Sequence, residues 1–308
     1  MPIPLESTGP SSLRSSGQAP KMQDYHCSTQ CSWCDGCGDY GIWTAMKRAL
    51  VELGIAPHKV CLCFDVGCHG NGSDKLTGYR FHGLHGRVIP FASAAKLANH
   101  HLPVIAFGGD GASFSEGIGH FVHGIRSNYP ITFVLHNNAN YGLTLGQASS
   151  LTWQGQPMNS SPNGIPEHTL NSMDLVFALE PTFVARGFSG NIPQLTQIFK
   201  AAIAHQKHGF AFVDVLQACP TYNHFATHEF LLERCYDANA EGHDPHCEAQ
   251  KARALALDTS KRIATGILYQ REDVPSFYDR LKPREGKKTA LVDEVKTFDV
   301  GECMKELV

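Results

Sequence analysis

The sequence of 308 residues predicts a doubly wound α/β fold built on a mainly parallel sheet. Three observations carry this. Four short runs, Lys59–Phe64, Pro103–Phe107, Ile131–His136 and Ala211–Leu216, are apolar without alternation, as strands covered on both faces are. Helix-length stretches lie around them, namely Asp39–Leu53, Pro90–Asn99, Phe114–Asn128 and Ile192–His205, which gives repeated βαβ units. The composition, 42% hydrophobic against 18% charged, can fill the core such a sheet requires.

Taken in order, residues 1–26 carry Pro2, Pro4, Pro10 and Pro20 among Ser and Gly and predict a flexible arm, because little apolar surface is available to offset ordering. Residues 27–225 then hold all the predicted strands and helices as one α/β domain. Residues 226–308 form a C-terminal extension, charged, with His243, His246, Lys251 and a basic run from Arg280 to Lys288, and are expected as helices and extended arm packed on the main domain or on a partner. Twenty-six Lys and Arg against 29 Asp and Glu leave a net charge of −3, which gives no electrostatic drive toward nucleic acid. No apolar run approaches the roughly 18 residues of a membrane span, and Met1–Pro20 has no signal-peptide core, so a cytoplasmic protein is expected. Eleven cysteines in such a chain point to metal or redox chemistry instead of disulfides.

Two motifs end neighbouring predicted strands, where open parallel sheets bind ligands. Gly108-Gly109-Asp110-Gly111 follows Pro103–Phe107, and Asn137-Asn138-Ala139-Asn140-Tyr141-Gly142 follows Ile131–His136. Glycines admit a diphosphate close to the backbone, and amides at the start of the helix near Phe114 can face an anion. The Asp110 carboxylate, the Asn138 carboxamide and the main-chain carbonyl of Asn140, with diphosphate and water oxygens, would complete the oxygen octahedron that Mg²⁺ prefers. Alone, Gly-Asp-Gly is an ordinary turn. Its separation of about 27 residues from Asn-Asn, with one helix between, is the thiamine diphosphate pattern.

The segments Trp33-Cys34-Asp35-Gly36-Cys37-Gly38-Asp39, Val66-Gly67-Cys68, Leu84-His85-Gly86-Arg87, Gly109-Asp110-Gly111, Tyr141-Gly142-Leu143-Thr144-Leu145-Gly146-Gln147 and Ala218-Cys219-Pro220 resemble, in this order, the β subunit of 2-oxoacid:ferredoxin oxidoreductases. The resemblance covers roughly residues 30–225. It implies a sheet of the thiamine diphosphate-binding type, a bound thiamine diphosphate with Mg²⁺, and a [4Fe-4S] cluster. It further implies that Val66, Gly67, Cys68, His69, His85, Gly111, Ala112, Ser113, Phe114, Gly142, Leu143 and Thr144 line the cofactor, and that Cys34, Cys37, Cys68 and Cys219 ligate the cluster. The implied reaction is decarboxylation of a 2-oxoacid with transfer of the acyl group to coenzyme A, two electrons leaving singly through the cluster to ferredoxin. No protein nucleophile takes part, and the glutamate that activates the cofactor is expected from an α subunit, so this chain is expected to be inactive alone.

Other readings of the cysteines compete with that ligand set. Cys31, Cys34 and Cys37 form C-x-x-C-x-x-C, but Gly41 stands where a bacterial ferredoxin has its fourth cysteine. Cys27, Cys31 and Cys34 have the spacing of radical S-adenosylmethionine enzymes, whose architecture lacks the Gly-Asp-Gly and Asn-Asn pair. A zinc ribbon wants a second C-x-x-C. Cys27, Cys31, Cys61, Cys63, Cys235, Cys247 and Cys303 are expected as ordinary reduced thiols, Cys61 and Cys63 in the core. Asn71 occupies a position where some family members that use 2-oxoglutarate have a basic residue, so the sequence leaves the 2-oxoacid open. A cluster-free thiamine decarboxylase or synthase subunit and a zinc-stapled non-enzymatic scaffold are the alternatives.

Overall fold

A computed structural model describes residues 19–295. Its centre is an eight-stranded sheet in the order β2-β1-β3-β4-β6-β5-β8-β7. The strands are β1 Cys61–Phe64, β2 Tyr79–His82, β3 Val104–Gly109, β4 Thr132–Asn137, β5 Phe183–Phe188, β6 Ala211–Leu216, β7 Cys235–Asp237 and β8 Ile263–Gln270. The six from β2 to β5 run parallel, β8 is antiparallel to β5, and β7 is parallel to β8. The register aligns Phe107 with Val134 and Val134 with Val213, so the apolar runs read in the sequence are the central strands.

Successive strand residues face opposite sides, and this alternation divides the core into two layers. On one face Leu62, Phe64, Ile105, Phe107, Val134 and Val213 pack with Ile42, Met46 and Leu50 of α1 (Asp39–Glu52) and Ile198 and Phe199 of α5 (Ile192–His205). On the other, Cys63, Ala106, Phe133, Leu135 and Phe212 pack with Val88, Ile89 and Ala92 of α2 (Val88–Ala98) and Phe121 and Ile125 of α3 (Ile118–Ser127). Each fully buried Phe or Leu contributes about 1.5–3 kcal/mol through removal of its surface from water. Helix α4 (Ser172–Ala178) also lies on this second face. Both α4 and α5 start at asparagine caps: Asn171 accepts from the Asp174 N–H and Asn191 from the Gln194 N–H.

Several expectations are corrected. The stretch 114–128 is two pieces, a wide π-type turn over Ala112–Glu116 and then α3, with the break at Gly117. Lys59 lies in a 3-10 turn ahead of β1. Two further strands, β2 and β5, join the parallel set. The tail, expected as helices and extended arm, also supplies β8 and β7, with α6 (His228–Arg234) before them and α7 (Ala249–Leu257) between. A last short helix, α8, spans Leu291–Glu294. Of the arm expected to be flexible, residues 1–18 lie outside the described residues, as does Cys303. Residues 19–26 are anchored at one point: Tyr25 is fully buried, its hydroxyl bonds the Ile55 carbonyl, and His26 bridges to Leu76.

Candidate functional site

The carboxyl ends of β1, β3, β4 and β6 meet at one edge of the sheet. Asp110 follows β3 directly and is 1% exposed, its carboxylate held by the Ser149 hydroxyl. Burial pushes its pKa from 3.8 up to about 7, against the lowering effect of that hydrogen bond. A carboxylate kept so far from water suits a site where a cation compensates its charge. After β4, the chain turns through Ala139 in the left-handed region (φ 54). This folds Asn140 back on Asn138: the Asn140 N–H donates to Asn138 Oδ1 at 3.2 Å and its side-chain amide to the Asn138 carbonyl at 2.8 Å. The buried Oδ1 of Asn140 has no hydrogen-bond partner.

Asp65, which directly follows β1, is a buried residue at this edge that the sequence reading missed. It is 1% exposed and accepts from the backbone N–H groups of Val66 (2.7 Å), Gly86 (2.8 Å) and Val88 (3.2 Å). One buried carboxylate therefore fastens the Val66–Cys68 loop to the His85-Gly86 loop. Its position at the strand end, just before Val-Gly-Cys, is the signal that could have found it. His69 is buried, and its Nε2 accepts the Gly109 N–H at 3.0 Å. Burial and the neighbouring imidazole of His136 hold its pKa well below the ordinary value, so it stays a neutral acceptor supporting the Gly109-Asp110 turn.

The rim is more open. The Tyr141 hydroxyl bonds both carboxylate oxygens of Glu116, at 2.8 and 2.9 Å, and His85 lies 3.9 Å from the same carboxylate. The Tyr141 ring sits over Gly111, where a β-carbon would come within 2.3 Å of Cε1. Leu143 is exposed, as is Thr144, whose hydroxyl bonds the Gln147 side chain. Ala112 and Phe114 are buried beneath the turn, and Ser113 bonds the Gly109 carbonyl at 2.7 Å.

The cysteines assemble beside this. Cys34 and Cys37 close a turn (Cys37 N–H to Cys34 O, 3.0 Å), tied to the end of β6 by the Gly38 N–H on the Ala218 carbonyl at 3.0 Å. The Trp33 indole donates to the Cys68 carbonyl at 2.7 Å. A β-carbon placed on Gly142 would lie 3.4 Å from Cys68 Sγ, 3.8 Å from Cys219 Sγ and 3.3 Å from Asn140 Oδ1, so both sulfurs and the unpartnered amide oxygen surround one point. Burial pushes the Cys68 thiol up to about 12, followed by the charges of Asp39, Cys219 and Cys34. Burial and Asp39 likewise raise Cys37, which also feels Cys68 and Cys219. Cys37 and Cys68 therefore resist becoming thiolates unless a positively charged centre takes their charge, and thiolate donors are what the irons of an iron-sulfur group require. Among the described residues no three His, Cys, Asp or Glu side chains are grouped closely enough for a single metal ion.

Cys27, Cys61 and Cys63 lie elsewhere. Cys27 lies 3.4 Å from both the Thr77 hydroxyl and Arg80 Nη1, and Cys61 and Cys63 pair at 3.7 Å within β1. Asn223 was also missed: its side chain donates to the Asn138 carbonyl at 2.8 Å, and its N–H bonds the Cys219 carbonyl at 3.1 Å, joining the two loops.

The fold and this edge define a thiamine-dependent enzyme: residues 65–215 match the thiamine pyrophosphate enzyme C-terminal TPP binding domain. Residues 219–285 match the C-terminal region of the pyruvate ferredoxin oxidoreductase β subunit. The chain is 42% identical over 270 residues to the β subunit of 2-oxoacid:ferredoxin oxidoreductase 2 of Aeropyrum pernix, covering 84% of this chain and 86% of that one. It is 39% identical over 263 residues to the corresponding subunit of Saccharolobus solfataricus (82% and 86%). A solved 2-oxoglutarate:ferredoxin oxidoreductase from Magnetococcus marinus, with 2-oxoglutarate, coenzyme A and succinyl-CoA bound, superimposes with a TM-score of 0.82 at 31% identity over 94% of this chain and 96% of that one. The chain belongs to the β subunits of the 2-oxoacid:ferredoxin oxidoreductases. The comparisons lend no support to the cluster-free thiamine subunit or the zinc scaffold. Among the described residues no helix is long and apolar enough to cross a membrane.

Proposed function

We propose that this chain, paired with an α subunit, binds thiamine diphosphate through Mg²⁺ and a [4Fe-4S] cluster, and oxidises a 2-oxoacid with coenzyme A to acyl-CoA and CO₂, two ferredoxins each taking one electron. The observation that carries this is the point beside Gly142, where the Cys68 and Cys219 sulfurs and the Asn140 amide oxygen converge one residue pair beyond the oxygen donors of the cation loop. Asp110, Asn138 and the Asn140 carbonyl would hold the cation. The turn Gly111–Phe114, with His85 and Gly142–Thr144 at the rim and Val66–His69 behind, would receive the diphosphate. Cys34, Cys37, Cys68 and Cys219 would hold the cluster.

When bound, thiamine diphosphate supplies a carbanion and an electron sink, and an iron-sulfur cluster supplies one-electron transfer. The protein's own part is positional. Asp65 fixes two loops at once, His69 fixes the Asp110 turn as a neutral imidazole, and Asn223 keeps the cation loop in register with Cys219. Bound 2-oxoglutarate and succinyl-CoA in the Magnetococcus relative support a 2-oxoacid and coenzyme A as substrates. The test is iron, acid-labile sulfide and electron paramagnetic resonance on the anaerobically purified chain, with 2-oxoacid-dependent reduction of ferredoxin assayed with and without the α subunit. Four irons and a reduced-cluster signal, with turnover only in the complex, are expected. Iron-free protein, or full turnover by this chain alone, refutes the proposal.

A further inference from the structure

Gln217 is absorbed by none of the roles above, yet it is 2% exposed and occupies the first position after β6, two residues before Cys219. Its N–H bonds the Asn137 carbonyl at 2.9 Å, and the next residue's carbonyl receives the Gly38 N–H at 3.0 Å. Its backbone is thus clamped both to the strand leading into the cation loop and to the turn that carries Cys37. Gly38 leaves the room: a β-carbon there would meet Gln217 Cγ at 2.7 Å. From this position the Gln217 amide nitrogen donates to Cys37 Sγ at 3.2 Å.

We propose that Gln217 is a positioning residue that sets the reduction potential of the cluster through its N–H···S bond to Cys37. The inference rests on the cluster reading given under Proposed function. An amide nitrogen only donates, and a sulfur accepts such a bond more strongly as it gains negative charge. A cluster gains one electron on reduction and its cysteine sulfurs become more negative. A donor fixed on one of them therefore stabilises the reduced state more than the oxidised one and raises the potential. The Asp39 carboxylate, 3.6 Å from the same sulfur, acts in the opposite direction, so Gln217 offsets a negative charge the fold already places there. Because Gln217 leads from the end of β6 into the loop that carries Cys219, its donor is held by the backbone of one ligand loop and directed at the ligand of another.

The experiment is an anaerobic redox titration of the complete αβ complex, followed by electron paramagnetic resonance, for the wild type, Gln217→Met and Gln217→Glu. Met keeps the length and removes the donor. Glu keeps the shape and replaces the donor with an acceptor bearing charge. At a fixed potential near the midpoint, the ratio of reduced to oxidised cluster should fall about tenfold in Gln217→Met, equivalent to about 59 mV for a one-electron couple, and further in Gln217→Glu. A ratio within twofold of wild type in either iron-loaded variant overturns the inference and leaves the cluster reading intact. Folded complex that takes up no iron in both variants makes Gln217 a support of the ligand turn, and overturns the inference too. Iron-free wild-type complex refutes the cluster reading and this inference with it.

Discussion

Replacing Asp110 with asparagine should stabilise the apoprotein while abolishing its use of the cofactor. In the absence of a cation the carboxylate is 1% exposed, and burial moves its pKa from 3.8 to about 7. The sign follows from linkage. A folded-state pKa above the unfolded one favours the folded state fully below about pH 4, and the benefit is lost as pH rises through about 7. A difference of about three pH units, at about 1.4 kcal/mol each, places roughly 4 kcal/mol on ionising the buried group as an upper bound. Asparagine does not ionise, but its NH₂ must find a partner near Ser149, so about half should be recovered, near 2 kcal/mol. In a chain of this size that corresponds to roughly 4 °C. The assay is thermal unfolding of chelator-treated protein from pH 4 to 8, with calorimetric titration of thiamine diphosphate and Mg²⁺ beside it. The expected result is a stability difference near zero at pH 4, growing to a plateau above pH 7, with cofactor affinity reduced at least about 100-fold through loss of a charged cation ligand. An Asn variant no more stable than wild type at pH 8, or one binding the cofactor normally, would refute the reasoning.

Other substitutions test separate parts of the site. Asp65→Ala leaves the N–H groups of Val66, Gly86 and Val88 without their acceptor; a loss of about 3 kcal/mol in denaturant unfolding and weaker cofactor binding are expected. Cys219→Ser should remove the cluster, read as iron falling from about four per chain to below one, with the thiamine diphosphate affinity of the complex kept within a few fold. Gly111→Ala must displace the Tyr141 ring, so cofactor affinity should fall and return in part when Tyr141→Ala is added; lack of rescue in the double variant would show that the ring is not the obstacle. Arg186→Met strands Asp214 beside Asn137 in the core, and removal of one partner of this 3.2 Å pair should cost about 3–5 kcal/mol by urea denaturation.

What the sequence revealed followed from burial. Strands β3, β4 and β6 are covered on both faces, so Pro103–Phe107, Ile131–His136 and Ala211–Leu216 read as unbroken apolar runs, and the loops after β3 and β4 could be placed side by side from their order alone. The strand β5 was hidden because Arg186 interrupts it, and the carboxylate that compensates Arg186 lies on β6, beyond the reach of a local pattern. The edge strand β2 is exposed along its length and carries no burial signal. In the tail, charged neighbours and Gly266 masked β8. At the site, the neighbouring placement of Asp110 and Asn138 was legible because each follows one of these paired strands. The cysteine set came from resemblance, since the structure joins Cys37 to Gln217 across 180 residues. Asp65 and Asn223 were invisible for a different reason: their partners are mainly backbone groups, which every residue possesses.

The antiparallel pairing of β8 with β5 gives the C-terminal segment a protective task. All six residues of β5 are buried, and β8 satisfies the hydrogen-bonding groups on its outer side. A chain cut near residue 225 would uncover that row of amides and carbonyls together with its apolar flanks, a template for pairing with other molecules. Shortened forms should therefore be lost to aggregation before their chemistry could be judged, and the tail sets the minimum length at which this sheet remains a solitary object.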